Sequence, residues 1–170
     1  MTGSIRTARP GDHEAILGVV QAAFTSPSHD GAEEVEIVRT TWRLGAAPPE
    51  LDLLAADGRD IIGHAIAGRG RLGLRETVGL APLAVVPSRQ RQGVGTALVS
   101  ELIRRAEAAM WPMVLVLGDP RYYARFGFEP ASRFGIVYPQ AGEDDPHFQV
   151  CRLSRFDASW SGAFVYCWEL

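Results

Sequence analysis

The chain has 170 residues, 46% of them apolar and 22% charged, with a formal net charge of -3. This mixture suits one globular domain over residues 1–170 and gives no global field for capturing a nucleic acid. All 17 basic residues are arginine, and neither lysine nor asparagine occurs, which excludes Schiff-base catalysis, the phosphate-gripping lysine of a P-loop, N-glycosylation and the kinase catalytic set.

Residues 4–8 read as a short extended segment stopped by Arg9-Pro10-Gly11, with Asp12 at the N-cap of a helix over 12–24. Its apolar positions Ile16, Val19, Val20, Ala23 and Phe24 fall at helical spacing. Residues 25–31 break the chain, and 33–43 resume a helical pattern through Val35, Ile37, Val38 and Trp42. Two apolar runs then flank Asp57-Gly58, a dipeptide suited to the positive φ values of a tight hairpin turn. Residues 77–86 form an apolar extended run interrupted by Pro82, which cannot donate a ladder hydrogen bond and predicts a bulge or a splayed edge.

The strongest helical pattern starts at Gly93, with Val94, Leu98, Leu102, Ala106 and Met110 on one face and the charged residues opposite; it ends before Pro112. Residues 113–118 are short, apolar and β-branched, as a buried central strand should be. A brief helix over 120–125 follows, and 127–128, 148–153 and 163–168 are late strand candidates. The order predicts an α/β or α+β sandwich around a mixed sheet. Residues 138–146 are the expected mobile loop.

Cys151 and Cys167 form no CxxC pair, and the four histidines form no i, i+4 pair, so no metal is expected. The absence of an 18-residue apolar run, and of a hydrophobic segment behind the first charges, points to a cytoplasmic protein without membrane contact.

The chemistry concentrates in residues 87–98, a polar, glycine-containing loop between an apolar strand and the start of the long helix. Unpaired first-turn amides and the helix dipole make an anion site there, Gly93 and Gly95 let the backbone approach a phosphate, and Arg89 and Arg91 add charge. Diphosphate is the natural guest; a tight turn with solvated arginines is the alternative. A third Rossmann glycine is missing.

Gln90-Arg91-Gln92-Gly93-Val94-Gly95 resembles the (Gln/Arg)-x-x-Gly-x-(Gly/Ala) signature of the GNAT acetyltransferase superfamily. Leu83-Ala84-Val85 resembles the strand preceding it, and Tyr122-Tyr123-Ala124-Arg125-Phe126-Gly127-Phe128 resembles the later Tyr-x-x-x-Gly-Phe element. The likeness covers the whole chain, most strongly residues 79–136, and extends to a bacterial branch of N-acetyltransferases. It implies a mixed, mostly antiparallel sheet with one splayed strand pair, flanked by helices. It further implies acetyl-CoA as co-substrate, its pantetheine arm on the edge formed by Ala84, Val85 and Val86, and its diphosphate on Gln90, Arg91, Gln92, Gly93, Val94, Gly95 and Thr96.

By the same resemblance Tyr123, four residues before Gly127, is the proton donor to the departing thiolate, with Tyr122 as the alternative register, and an amide near Val85 polarises the thioester carbonyl. No carboxylate lies on the strand before the loop, so no general base is assigned; Glu76, Glu34, Glu36 and His64 are candidates that surface exposure or strand hydrogen bonding also explains. Gly118-Asp119-Pro120 replaces an asparagine common in the superfamily, and Asp119 is expected to cap the short helix.

The implied activity is transfer of acetyl from acetyl-CoA to a primary amine of a small molecule or peptide. The missing carboxylate leaves a non-catalytic acyl-CoA-binding module as the rival. Asp30, Glu33, Glu34 and Glu36 would favour a cationic acceptor or form a solvated face. The apolar C-terminal run 160–170 either supports a homodimer or completes the sheet.

Overall fold

The computed structural model describes residues 3–170. In chain order the elements are β1 (Ser4–Thr7), α1 (His13–Phe24), β2 (Thr25–Ser26), β3 (His29–Asp30), α2 (Ala32–Arg43), β4 (Asp52–Asp57), β5 (Asp60–Leu72), β6 (Arg75–Val85), α3 (Val94–Ala108), β7 (Met113–Leu117), α4 (Pro120–Tyr123), β8 (Phe128–Pro130), β9 (Ile136–Val137), β10 (Phe148–Arg152) and β11 (Gly162–Tyr166). The main sheet runs β1-β4-β5-β6-β7-β10-β8, with β11 added to β5 and β9. Its ladders are antiparallel except β6 with β7 and β9 with β11. The result is the expected mixed, mostly antiparallel sheet with helices on both faces.

One face packs on α3, whose Val94, Leu98, Val99, Leu102 and Ala106 meet Val78, Leu80, Val114 and Val116. Leu98 and Leu102 are fully buried, each contributing about 2 kcal/mol by area removed from water. The opposite face is divided between α1 and α2, which cover Leu54, Ile66 and Ala84, and an aromatic cluster of Tyr138, Phe148, Phe164 and Tyr166.

Four local expectations change. Asp12 sits at the N-cap of α1 but does not cap it. Its carboxylate instead takes both Arg6 guanidinium nitrogens at 2.7 and 2.9 Å and the Arg9 amide at 2.8 Å; a bidentate ionic pair outcompetes a cap bond. Met110 lies beyond α3, 59% exposed, at φ 64°. In the hairpin turn between β4 and β5 only Gly58 takes a positive φ, because Asp57 pairs with Asp60 and the loop is Gly58-Arg59. Residues 25–31 hold a small β2–β3 hairpin.

The C-terminal run is spent within the chain: β11 pairs with Gly70, Arg71 and Leu72 of β5, and Phe164 and Tyr166 are buried. At residues 138–146 the chain makes turns closed by a Tyr138–Gly142 bridge. No helix of the described residues is long and apolar enough to cross a membrane.

Candidate functional site

The site begins where β6 and β7 part. Their parallel pairing covers only Val78–Val114, Gly79–Leu115 and Leu80–Val116, although β6 continues to Val85. Opposite Ile66 of β5, the stretch around Ala81 and Pro82 carries the extra residues of a register shift, as the proline predicts.

Beyond the bulge, backbone direction alternates. The Val86 amide donates to the Ile62 carbonyl and Ala84 faces His64, so both turn their backbone groups toward β5. Leu83 and Val85, one residue out of phase, turn theirs into the gap. On the other side the Gly118 amide donates to His147 and Leu117 is opposite Phe148, which by the same alternation turns the Leu117 amide toward β6 at the Leu80–Val116 pair, where the parallel ladder ends. The amides of Leu83 and Val85 therefore face one opening, while the Val85 carbonyl is taken by the Gln90 side chain.

Of the three residues expected at the edge, Val85 lines the resulting cleft, whereas Ala84 is buried beneath α1 and α2 and Val86 is bonded to β5. Leu83 takes the second lining position. The signal that would have found it is the two-residue period of the strand, counted from a residue bonded to β5.

The cleft holds about 550 Å³ and continues from Leu83 and Val85 to Arg89, Gln90, Arg91, Gly93, Gly95, Thr96, Tyr122 and Arg125. Arg91 at φ 60° and Gly93 at φ 86° turn the chain into α3. The amides of Val94, Gly95 and Thr96 have no carbonyl four residues back within the helix and so remain available, with the positive end of a 15-residue helix behind them.

Side chains build this loop more than the sequence reading allows. The Gln90 amide nitrogen donates to the Val85 carbonyl at 3.0 Å and that of Gln92 to the Ser88 carbonyl at 3.1 Å, closing the loop on itself. Arg89 is held by Asp57 at 2.8 Å. A Cβ on Gly95 would come within 2.9 Å of the Tyr122 hydroxyl, so glycine lets that ring lie against the helix start.

Asp119 caps α4 as expected, accepting from the Arg121 amide at 2.9 Å with Pro120 in the first turn. The two tyrosines of α4 then diverge. Tyr122 lines the cleft beneath Arg125, whose guanidinium lies 4.6 Å from the ring centre. Tyr123 is buried against Tyr122, Phe126 and Phe128, and burial, followed by the neighbouring Tyr122, raises its pKa above the ordinary phenol range. A Cβ on Gly118 would stand 2.4 Å from its ring, so Tyr123 reaches the end of β7 only because residue 118 is glycine.

The candidate bases are engaged elsewhere. Glu76 pairs with Arg69 at 3.4 Å, Glu34 with His29 at 2.7 Å, and Glu36 accepts from Thr40. His64 is fully buried under α2, its Nε2 2.7 Å from Asp52, which also accepts from the Trp42 indole at 2.8 Å. Among the described residues no cluster of three or more His, Cys, Asp or Glu is placed to hold a metal.

Residues 50–130 match the family model described as an acetyltransferase (GNAT) domain. Over nearly its full length the chain is similar to the crystal structure of the GNAT family N-acetyltransferase YhbS from Escherichia coli in complex with CoA, with 30% identity, coverage of 96% of this chain and 88% of that one, and a TM-score of 0.83. The chain belongs to the GNAT acetyltransferase family.

A second GNAT structure, an acetyltransferase from Brucella melitensis in complex with acetyl-CoA, is 28% identical over 96% of this chain and 94% of that chain, with a TM-score of 0.78. The uncharacterized N-acetyltransferase YjhQ of Escherichia coli (strain K12) is 34% identical over 105 residues, which are 59% of this chain and 58% of YjhQ. Taken with the 46% of the YhbS sequence that is aligned, the chain spans about half the length of the curated relatives it matches.

Proposed function

We propose that residues 1–170 form an acetyl-CoA-dependent N-acetyltransferase that moves the acetyl group to a primary amine of a small molecule or peptide by direct attack. One observation carries the reading: the open edge at Leu83 and Val85 runs without interruption into the anion-binding start of α3. A ligand with an amide-bearing arm and a diphosphate fits that path, the arm adding to β6 as a strand would and the diphosphate meeting the amides of Val94, Gly95 and Thr96. The CoA and acetyl-CoA complexes of the two similar GNAT structures support this assignment.

Bound acetyl-CoA supplies an activated thioester. The Val85 amide takes an amide carbonyl of the pantetheine arm, and the Leu83 amide polarises the thioester oxygen. Tyr123 holds a proton for the departing sulfur, and its buried hydroxyl keeps that proton throughout the working pH range. A thiol pKa of about 8.5 makes this assistance useful without making it the whole of catalysis. No carboxylate or imidazole is assigned as base, so the amine arrives neutral or loses its proton through water. A cytoplasmic setting accords with two free buried thiols, Cys151 and Cys167.

The test is thiol release from acetyl-CoA across a panel of primary amines. The native protein is expected to turn over at least one, and Tyr123→Phe to lose about 10²-fold in kcat with CoA affinity retained. CoA binding with no turnover on any amine would favour a non-catalytic acyl-CoA-binding module instead.

A further inference from the structure

Tyr166, near the end of the chain, is 3% exposed, and its hydroxyl is one of two buried side-chain polar atoms among the described residues with no hydrogen-bond partner. A buried hydroxyl is normally paired, so an orphan needs a reason. The ring is fixed by Trp168 stacked at 4.3 Å and by Phe164 and Tyr138 edge-on at 4.8 and 5.4 Å. It lies directly across β6 at Gly79, where a Cβ would be 2.4 Å from its Cε1. Gly79 is one residue before Leu80, the last residue of β6 paired with β7.

The hydroxyl thus reaches the point where the two strands separate. The Leu117 main-chain amide approaches its oxygen while the hydroxyl's own proton meets no acceptor, and the Tyr123 hydroxyl is close enough to interact electrostatically from the opposite face of the sheet. Two glycines, Gly79 and Gly118, admit two tyrosines to one gap from its two sides.

We propose that the Tyr166 hydroxyl donates a hydrogen bond to the thioester carbonyl oxygen of bound acetyl-CoA, forming with the Leu83 amide a two-donor site for the oxygen that becomes negative during transfer. The assignment rests on the acetyltransferase reading. In the step it serves, the amine nitrogen bonds to the carbonyl carbon, the carbonyl pair moves onto oxygen and returns, and the carbon–sulfur bond breaks. The sulfur leaves with its electron pair and takes the Tyr123 proton, the proton shed by the amine nitrogen passes through water and restores Tyr123, and Tyr166 keeps its own proton throughout. Burial, followed by Tyr138 and Glu169, raises the Tyr166 pKa, which keeps it a neutral donor.

CoA lacks the carbonyl, so the two forms of the cofactor separate this role from a structural one. Calorimetric titrations of the native protein and Tyr166→Phe with acetyl-CoA and with CoA should show an acetyl-CoA affinity lowered about 3- to 10-fold in the variant and a CoA affinity unchanged. Equal losses for both ligands, or no loss for either, would overturn the proposal. Failure of the native protein to bind either ligand would instead overturn the acetyltransferase reading on which it stands. A measurement independent of any variant is the infrared band of ¹³C-carbonyl acetyl-CoA bound to the native protein. A shift to lower wavenumber relative to the free cofactor is expected, and an unshifted band would overturn the assignment.

Discussion

Tyr122 and Tyr123 are consecutive, yet one ring lines the cleft under Arg125 and the other is packed into the core at the end of β7. On the proposed mechanism their hydroxyls serve different purposes, and Phe substitutions should separate them: Tyr123→Phe lowers kcat, whereas Tyr122→Phe changes CoA affinity by less than about 10-fold and spares kcat. Because burial raises the Tyr123 pKa above its usual 10.0, the acid form persists, and kcat should show no alkaline fall from this group below about pH 10. A rate profile that drops with an apparent pKa near 8 and survives Tyr123→Phe would assign the titration elsewhere.

Tyr123 could be singled out from the sequence because the Tyr-x-x-x-Gly-Phe element on which the resemblance rests is local. Tyr166 was not, since nothing in an apolar C-terminal run announces that its ring will cross Gly79, 87 positions earlier in the chain. The side-chain work of Gln90 and Gln92 was likewise hidden, because their partners are backbone carbonyls that depend on the loop's own turn.

At the scale of elements, the amphipathic face of α3, the bulge at Pro82 and the cap at Asp119 follow from short-range periodicity and stereochemistry, and the sequence reading places all three. The failures have competing causes. Asp12 was available to α1 but is claimed by Arg6 from β1, a contact between elements rather than within one. The edge residues were placed as three in a row, where a strand exposes backbone groups to one side only at every second position. The glycines that seat the tyrosines give a further expectation. Gly79→Ala inserts a methyl group where the Tyr166 ring stands and should destabilise the protein by about 1–3 kcal/mol in urea unfolding. Tyr166→Phe, which removes an unpaired hydroxyl and keeps the ring, should leave stability equal or higher.

Across the whole molecule, ion pairs fasten the outer elements to the sheet. Glu101 on α3 accepts from Arg104 and Arg105, and Arg105 also donates to Thr7 of β1 at 2.9 Å. The arginine hydrogen bonds hold Glu101 at a pKa of about 2 against an ordinary 4.5, and Arg6 similarly holds Asp12 at about 2 against 3.8. A carboxylate depressed in the folded state stabilises it above the unfolded pKa and ceases to do so as pH falls through the folded one. Thermal stability should thus decline between about pH 4.5 and pH 2, and Glu101→Gln should begin lower at pH 7 and lose less on acidification. Parallel melting curves for the two proteins would remove Glu101 from this role.

The sheet order itself was only partly legible. Element order points to an α/β or α+β sandwich around a mixed sheet, but the return of β11 to β5 depends on burial partners distant in sequence.

The central claim is that the splayed edge of β6 receives the cofactor as an added strand. Amide hydrogen exchange by NMR, with and without saturating CoA, tests it residue by residue. CoA should slow exchange at Leu83 or Val85, whose amides face the gap, and leave Val86, already bonded to Ile62, essentially unchanged. CoA binding with no added protection at Leu83 and Val85 would contradict the account.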